Sequence, residues 1–371
     1  MRLLIKSTLL ILLISFLSFG QFKSRNEIKI PDILDYKTLK CDLHTHTVFS
    51  DGNVWPTIRI QEAYLEGLDC IAITDHIEYR PYKADFIKNH NRSYEVALSE
   101  AAKYGILLIK GTEITRAMPP GHFNAIFTSD NNPIDTSDYK TAFSIAKNQN
   151  AFITFNHPFW RSPNFPIING KPEWFPEHTE LFNMGIFKGI EIVNDHDYYP
   201  EAFRWAIEHN LTILGNSDIH QPTFMEFDFQ KGEHRAMTLV FAKEKSFESI
   251  REALDEGRTA VYHNKFLFGK EEFLKPIFQN SIKISKISEN GKNRFYQIEN
   301  KSDISFEIEL KSATEGFTFP KKVVIAENSI THFTITSKGK DNSQNIDLKT
   351  IYTVTNMLTA PDKALSVELN F

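Results

Sequence analysis

Between positions 39 and 266 short apolar runs alternate with amphipathic helical stretches, and this alternation limits the possible folds more than any other feature of the chain. The runs lie over 39–42, 70–74, 107–110, 124–127, 152–155, 189–193, 212–214 and 238–241. Helical periods fill the gaps over 57–66, 93–104, 139–148, 201–208 and 247–256. Strands buried on both faces read as continuous apolar runs, and crossover helices lay such strands parallel. Repeated strand-helix steps of this kind predict an α/β fold closed into a barrel. An open doubly wound sheet is the runner-up. It is disfavoured because no Gly-rich phosphate loop follows the first strand and polar residues emerge from almost every strand end.

Past 266 the helical period gives way to alternating segments, as at 295–299, 331–335 and 351–354. Period-two alternation marks strands with one buried face, so residues 267–371 are expected to form a small C-terminal antiparallel β-sandwich behind a first domain over 38–266. Residues 1–20 join Arg2 and Lys6 to an apolar stretch ending at Phe19, with small residues at Ser18 and Gly20. They read as a secretory signal peptide too short to span a membrane, followed by a linker over 21–37. The expected location is periplasmic or secreted, with no membrane anchor after cleavage and the oligomeric state left open. Cys41 and Cys70 fall inside strands and read as buried free thiols, with a disulfide between them as the alternative that an oxidising compartment permits. A net charge of −5 offers no general attraction for nucleic acid, so the expected partner is a small substrate gripped locally. The proline- and aromatic-rich stretch 161–178 is expected to wall the site.

The chemistry gathers at the strand ends. His44 and His46 stand at i and i+2 and can bring two imidazoles to one ion, as Asp218 and His220 can bring a carboxylate and an imidazole. Gly52 could let the chain swing Asp51 back over them. His76 ends the second run, beside Asp75 as a supporting acceptor for a ligating imidazole. Glu113 ends the third, where a carboxylate can bridge two cations. His122 opens the fourth, and Asn156-His157-Pro158 closes the fifth. Glu191, a charge inside an apolar strand, is expected to be paired or in the pocket. Nine imidazoles and carboxylates at six strand ends read as a polynuclear metal site without thiolate, suited to Zn, Mn or Fe.

In order, Asp-Leu-His-Thr-His and Ser-Asp-Gly, Thr-Asp-His, Gly-Thr-Glu, Gly-His, Asn-His-Pro and Asn-Ser-Asp-Ile-His resemble the motifs of the polymerase and histidinol phosphatase (PHP) domain family. The stretch His-Arg-Ala-Met-Thr-Leu-Val-Phe-Ala-Lys at 234–243 is similar to an exported bacterial branch of phosphoesterases. The resemblance implies a distorted (β/α)7 barrel holding two to three divalent metal ions. By motif, His44, His46, Glu113 and Asp218 would hold one ion, Asp51, His76 and His220 a second, and Glu113, His122 and His157 a third. Asp51 stands where some members have His.

The expected reaction is phosphate ester hydrolysis by a metal-bridging hydroxide. Arg116 and Arg235 are the candidates for gripping phosphate oxygens, and His196, Asp195 or a metal-bound water for protonating the leaving group. A phosphodiesterase is the alternative within enzymes. A non-catalytic exported binding protein is the rival outside them, and it predicts missing ligands. None is missing.

Overall fold

The computed structural model describes residues 25–160, 173–339 and 348–371. The expected signal peptide, and the stretch 161–172 of the Pro-rich segment, lie outside the described residues. No helix among the described residues is long and apolar enough to cross a membrane.

The first part of the chain runs β1 (Lys37–Asp42), α1 (Pro56–Leu65), β2 (Cys70–Ile73), α2 (Arg92–Tyr104), β3 (Leu107–Ile114), β4 (Phe123–Ile126), α3 (Tyr139–Asn148), β5 (Phe152–Phe155) and α4 (Pro176–Asn183). It continues through β6 (Gly189–Asn194), β7 (Asp197–Tyr198), α5 (Pro200–Glu208), β8 (Thr212–Asn216), β9 (Met237–Ala242), α6 (Phe247–Asp255), β10 (Thr259–His263), β11 (Phe266–Gly269) and α7 (Glu271–Ser281). Helix starts follow local chemistry. Pro56 opens α1, where a missing N–H costs nothing, while the Asp138 and Ser246 side chains accept from the first-turn amides of α3 and α6.

The sheet is mixed, which corrects the expected parallel barrel. β1, β2 and β3 are parallel, β4 runs antiparallel to both β3 and β5, and β9 runs antiparallel to β1 and β10. Only the short segment 115–122 joins β3 to β4, too little for a crossover helix, so the chain must double back. Nor do the ladders close. β8 pairs with β6, but between β8 and β9 the Thr238 hydroxyl stands in for a ladder, accepting from Gly215 N at 3.0 Å and donating to Gly215 O at 2.9 Å. At Gly215 an added Cβ would meet Val261 at 2.2 Å, so this close approach of β8 to β10 requires glycine. Cys41 and Cys70 face each other across β1 and β2 as buried free thiols.

α7 falls where the sequence predicts only strands. Its buried stripe Phe273, Leu274, Ile277 and Phe278 has helical spacing, each side chain contributing roughly 1.5–3 kcal/mol, but Pro276 inside the helix masks the period. Beyond it, β12 (Ile282–Asn290), β13 (Asn293–Asn300), β17 (Ser329–Ser337) and β15 (Phe317–Thr318) form one sheet of the C-terminal unit. The facing layer, β16 (Lys322–Ile325), β14 (Phe306–Ala313), β18 (Lys349–Ala360) and β19 (Lys363–Asn370), joins the large sheet where β18 pairs with β11. Tyr296 and Phe333 meet Phe306 and Tyr352 in one apolar cluster that runs on to Leu239 and Phe241. The two units therefore share a core.

Candidate metal centre

Just past β1, residues 43–46 are clamped to residues 217–219 beyond β8. Asp218 N donates to His44 O at 2.9 Å and His46 N to Ile219 O at 3.1 Å. The buried Arg59 of α1 adds a second clasp, giving Nε to His46 O at 2.8 Å and Nη2 to Ile219 O at 3.0 Å. Asp51 returns over the same segment because Gly52 lies against it: a Cβ there would sit 2.7 Å from the His46 carbonyl carbon.

These clasps bring three groups together. In the first, His44 Nε2 and His46 Nε2 are 3.0 Å apart, and Asp218 Oδ1 lies 3.1 Å from one and 2.9 Å from the other. In the second, Asp51 Oδ1 is 3.3 Å from His76 Nε2 and 3.2 Å from His220 Nε2, with His46 close by. In the third, Glu113 Oε1 is 3.1 Å from His122 Nδ1 and 3.3 Å from His157 Nε2. Glu113 Oε2 reaches back towards the first group, 3.7 and 3.6 Å from the His44 and His46 Nε2 atoms.

The proton positions follow from the partners. His44 Nδ1 is 2.9 Å from Glu191 Oε1, so that nitrogen donates, and in the neutral ring Nε2 is left as the acceptor. His46 Nδ1 faces Ser50 Oγ at 3.3 Å, and Ser50 gives its own proton to Asp75 Oδ1 at 2.8 Å, which again leaves Nε2 bare. Two bare nitrogens and a carboxylate oxygen at about 3 Å repel one another unless a cation lies among them. Ions about 2.0–2.2 Å from N or O ligands set neighbouring ligand atoms roughly that far apart. Asp51 Oδ1, Glu113 Oε2 and Asp218 Oδ1 are also buried without a hydrogen bond. The residues fit divalent metal.

Burial lowers His44, but the Asp218, Glu191 and Glu113 carboxylates outweigh it and raise the imidazole well above its ordinary range, so a cation entering the first group displaces a proton. Burial pushes the Asp51, Glu113 and Asp218 carboxyls up, but the surrounding imidazoles outweigh it and hold all three well below the ordinary carboxylate range. Burial, with His220 and His76 beside it, lowers His46 to about 4, so its lone pair is available.

The remaining site residues separate. Asp75 takes Thr47 N at 2.7 Å as well as Ser50, so it supports His46 at one remove. Glu191 orients His44 while accepting from His157 N, Asn194 and Asn216. Two expectations need correcting. Arg235 is not at the pocket: fully buried, it pairs with Asp42 at 2.9 Å and Glu66 at 2.8 Å. Arg116 is spent on Glu78 at 2.8 Å and Thr136 O at 2.6 Å and does not line the cavity. His196 lies on the exposed rim, 3.5 Å from Asp195. Trp160 lines the cavity, whereas Trp174 stacks on His209 away from it. Arg59, Ser50, Thr115 and Asn156 were not legible as site residues. Asn156 donates to Glu113 Oε1 at 3.1 Å and Thr115 Oγ1 lies 2.6 Å from His76 Nδ1. Asn156 was within reach, since it stands beside His157.

The loop before His122 is anchored from α4 by His178, which gives Nε2–H to Pro120 O at 2.7 Å and accepts Phe175 N at 3.0 Å. Burial lowers His178 to about 4. Folded pKa below unfolded pKa means stability is complete above about 6.5 and is lost as pH falls towards 4. Between pH 7 and 4.5 the loss is expected to be about 2–3 kcal/mol. Urea unfolding of wild type and His178→Gln at both pH values checks this; an equal decrease in both proteins would refute it.

The PHP domain family model matches residues 42–285, and the chain belongs to that family. An Ig-like domain model matches residues 281–370. The chain is similar to a crystal structure from Bacteroides vulgatus, a two-domain protein containing a predicted PHP-like metal-dependent phosphoesterase: 46% identity over 94% of this chain and 99% of that one, TM-score 0.88. It is also 37% identical, over 83 residues, to an uncharacterized protein of Methanocaldococcus jannaschii; the match covers 22% of this chain and 36% of that protein.

Proposed function

We propose that this protein is an exported metal-dependent phosphoesterase acting on a small phosphate ester, with two to three divalent ions at the His, Asp and Glu groups. One observation carries the reading: three buried carboxylate oxygens without hydrogen bonds, on Asp51, Glu113 and Asp218, converge with imidazole nitrogens beside a cavity of about 640 Å³ that Asp51 and Asp218 line. Membership of the PHP family and the likeness to the Bacteroides protein support it. Such ions supply Lewis acidity and a water acidified to near neutral pH, and the nitrogen and oxygen donors suit Zn, Mn or Fe. The chain supplies position: Glu191, Ser50 and Thr115 orient imidazoles, Asn156 steadies Glu113, and Arg59 holds the two ligand-bearing segments in register. The carboxylates Asp195, Asp197 and Glu226 on the cavity wall make nucleic acid an unfavourable substrate.

The test is metal analysis of the purified protein together with turnover of an aryl phosphomonoester and its bis-aryl diester. At least two equivalents of metal, and activity abolished by a chelator and restored by Zn, Mn or Fe, are expected, with the monoester preferred. Less than two equivalents with no turnover of either ester would refute the reading, and a diester preference would move it to phosphodiesterase. Recovery of the mature protein beginning near Gln21 would support export.

A further inference from the structure

One hydroxyl in the cavity has no part in holding metal. Tyr199 is 4% exposed and lines the cavity beside Asn194, Asp195 and Trp160, and no described residue hydrogen-bonds its hydroxyl. A buried phenol without a partner calls for one from whatever fills the cavity. Its backbone is fixed: Tyr199 N donates to Ile192 O at 2.8 Å and Tyr199 O accepts from Phe203 N at 3.1 Å, which ties β6 to the first turn of α5. The Phe159 ring meets it edge to face, with 6.2 Å between centroids. Other donors on this wall are already taken. Thr115 Oγ1 lies 2.6 Å from His76 Nδ1, and Asn194 donates to Glu191 Oε2 at 2.9 Å.

The charges around the hydroxyl place it between two parts of the cavity. Burial, and then the Asp197, Glu191, Asp218 and Asp195 carboxylates, push the phenol well above its ordinary pKa. Asp218 and Glu191 belong to the candidate metal centre, and Asp195 and Asp197 to the acidic wall. An ester whose phosphoryl group faces the metal groups therefore brings its leaving oxygen towards this hydroxyl. Loss of the phenol proton would add a fifth negative charge to these four, so Tyr199 keeps its proton and acts as a hydrogen-bond donor.

We propose that Tyr199 is a catalytic residue that donates its O–H to the ester oxygen of the substrate as the P–O bond breaks. The proposal rests on the phosphoesterase reading. In that step a hydroxide oxygen bonds to phosphorus and the electron pair of the P–O bond passes to the leaving oxygen. The charge developing there is met by the Tyr199 O–H, and the released alcohol takes its proton from water. Such a donor acts more strongly in the transition state than in the bound ester, so it raises kcat and leaves KM nearly unchanged. It also matters more as the leaving oxygen becomes more basic. The competing donor is Asp195, whose carboxyl is raised by burial and by the Glu226, Asp218 and Asp197 carboxylates against the opposing pull of His196.

The experiment compares the metal-loaded full chain with Tyr199→Phe and Asp195→Asn on 4-nitrophenyl phosphate, phenyl phosphate and ethyl phosphate, whose leaving oxygens are increasingly basic. In Tyr199→Phe, kcat is expected to fall about tenfold on the nitrophenyl ester and about a hundredfold on the ethyl ester, with KM and metal content kept. Unchanged turnover, an equal loss on all three esters, a loss carried by KM, or a lost equivalent of metal would overturn the inference and leave the phosphoesterase reading standing. So would a loss that grows with leaving-group basicity in Asp195→Asn and not in Tyr199→Phe. Absence of turnover of all three esters by the wild type would overturn both.

Discussion

Glu113→Gln is expected to lose at least one equivalent of bound metal and more than about a hundredfold in kcat/KM towards an aryl phosphate. Residues that merely support a ligand already cost 10–100-fold when removed, and Glu113 faces the metal groups directly. Its Oε1 serves His122 and His157 and its Oε2 reaches His44, His46 and His76. The amide keeps the shape but removes the charge, and its NH2 replaces an oxygen that either accepts from Asn156 or faces the His44 and His46 Nε2 atoms. The carboxyl carries no lysine or arginine partner, so the fold should keep most of its stability. Metal analysis with steady-state kinetics checks the prediction. Full metal occupancy with unchanged turnover would show that the carboxylate serves only to balance its imidazoles.

Arg235→Ala should be the most damaging single change to stability outside the site, about 3–5 kcal/mol. The guanidinium spans two buried carboxylates, Asp42 and Glu66, and Asp42 in turn accepts the Ser217 hydroxyl at 2.5 Å, next to Asp218. Removing it leaves two carboxylates in the core without their cation. The strand ends that present His44 and Asp218 should loosen with it, so activity falls as well. Urea unfolding distinguishes this role from the one its motif suggests. A phosphate-gripping arginine would raise KM and leave the unfolding midpoint in place, and that result would refute the structural role.

Much of the candidate metal centre was legible because its determinants are local. His44 and His46 share a direction through strand geometry alone, and the apolar runs before Glu113, His157 and Asp218 mark strand ends without any knowledge of what they pair with. Arg235 misled because a cation beside a strand looks the same whether it faces the pocket or the core. Arg59 was invisible for a related reason: an arginine on a helix reads as solvated, and only the clamp between 46 and 219 buries it. The helix α7 was hidden by Pro276, and the antiparallel course of β4 and β9 by apolar runs that carry no sign of direction.

From the sequence alone came the strand-helix order, the identity of nine candidate metal-binding side chains, and the division between an α/β part and a strand-rich C-terminal part. Each depends on neighbours within a few residues, where periodicity and turn chemistry act. Tertiary structure decided which carboxylates are left without hydrogen bonds, which arginines are buried, that the sheet is mixed and stays open between β8 and β9, and that Asp195, Glu226 and Tyr199 share one wall. Those outcomes turn on contacts between segments far apart in the chain, where charge, desolvation and pairing direction are set only once the strands have met.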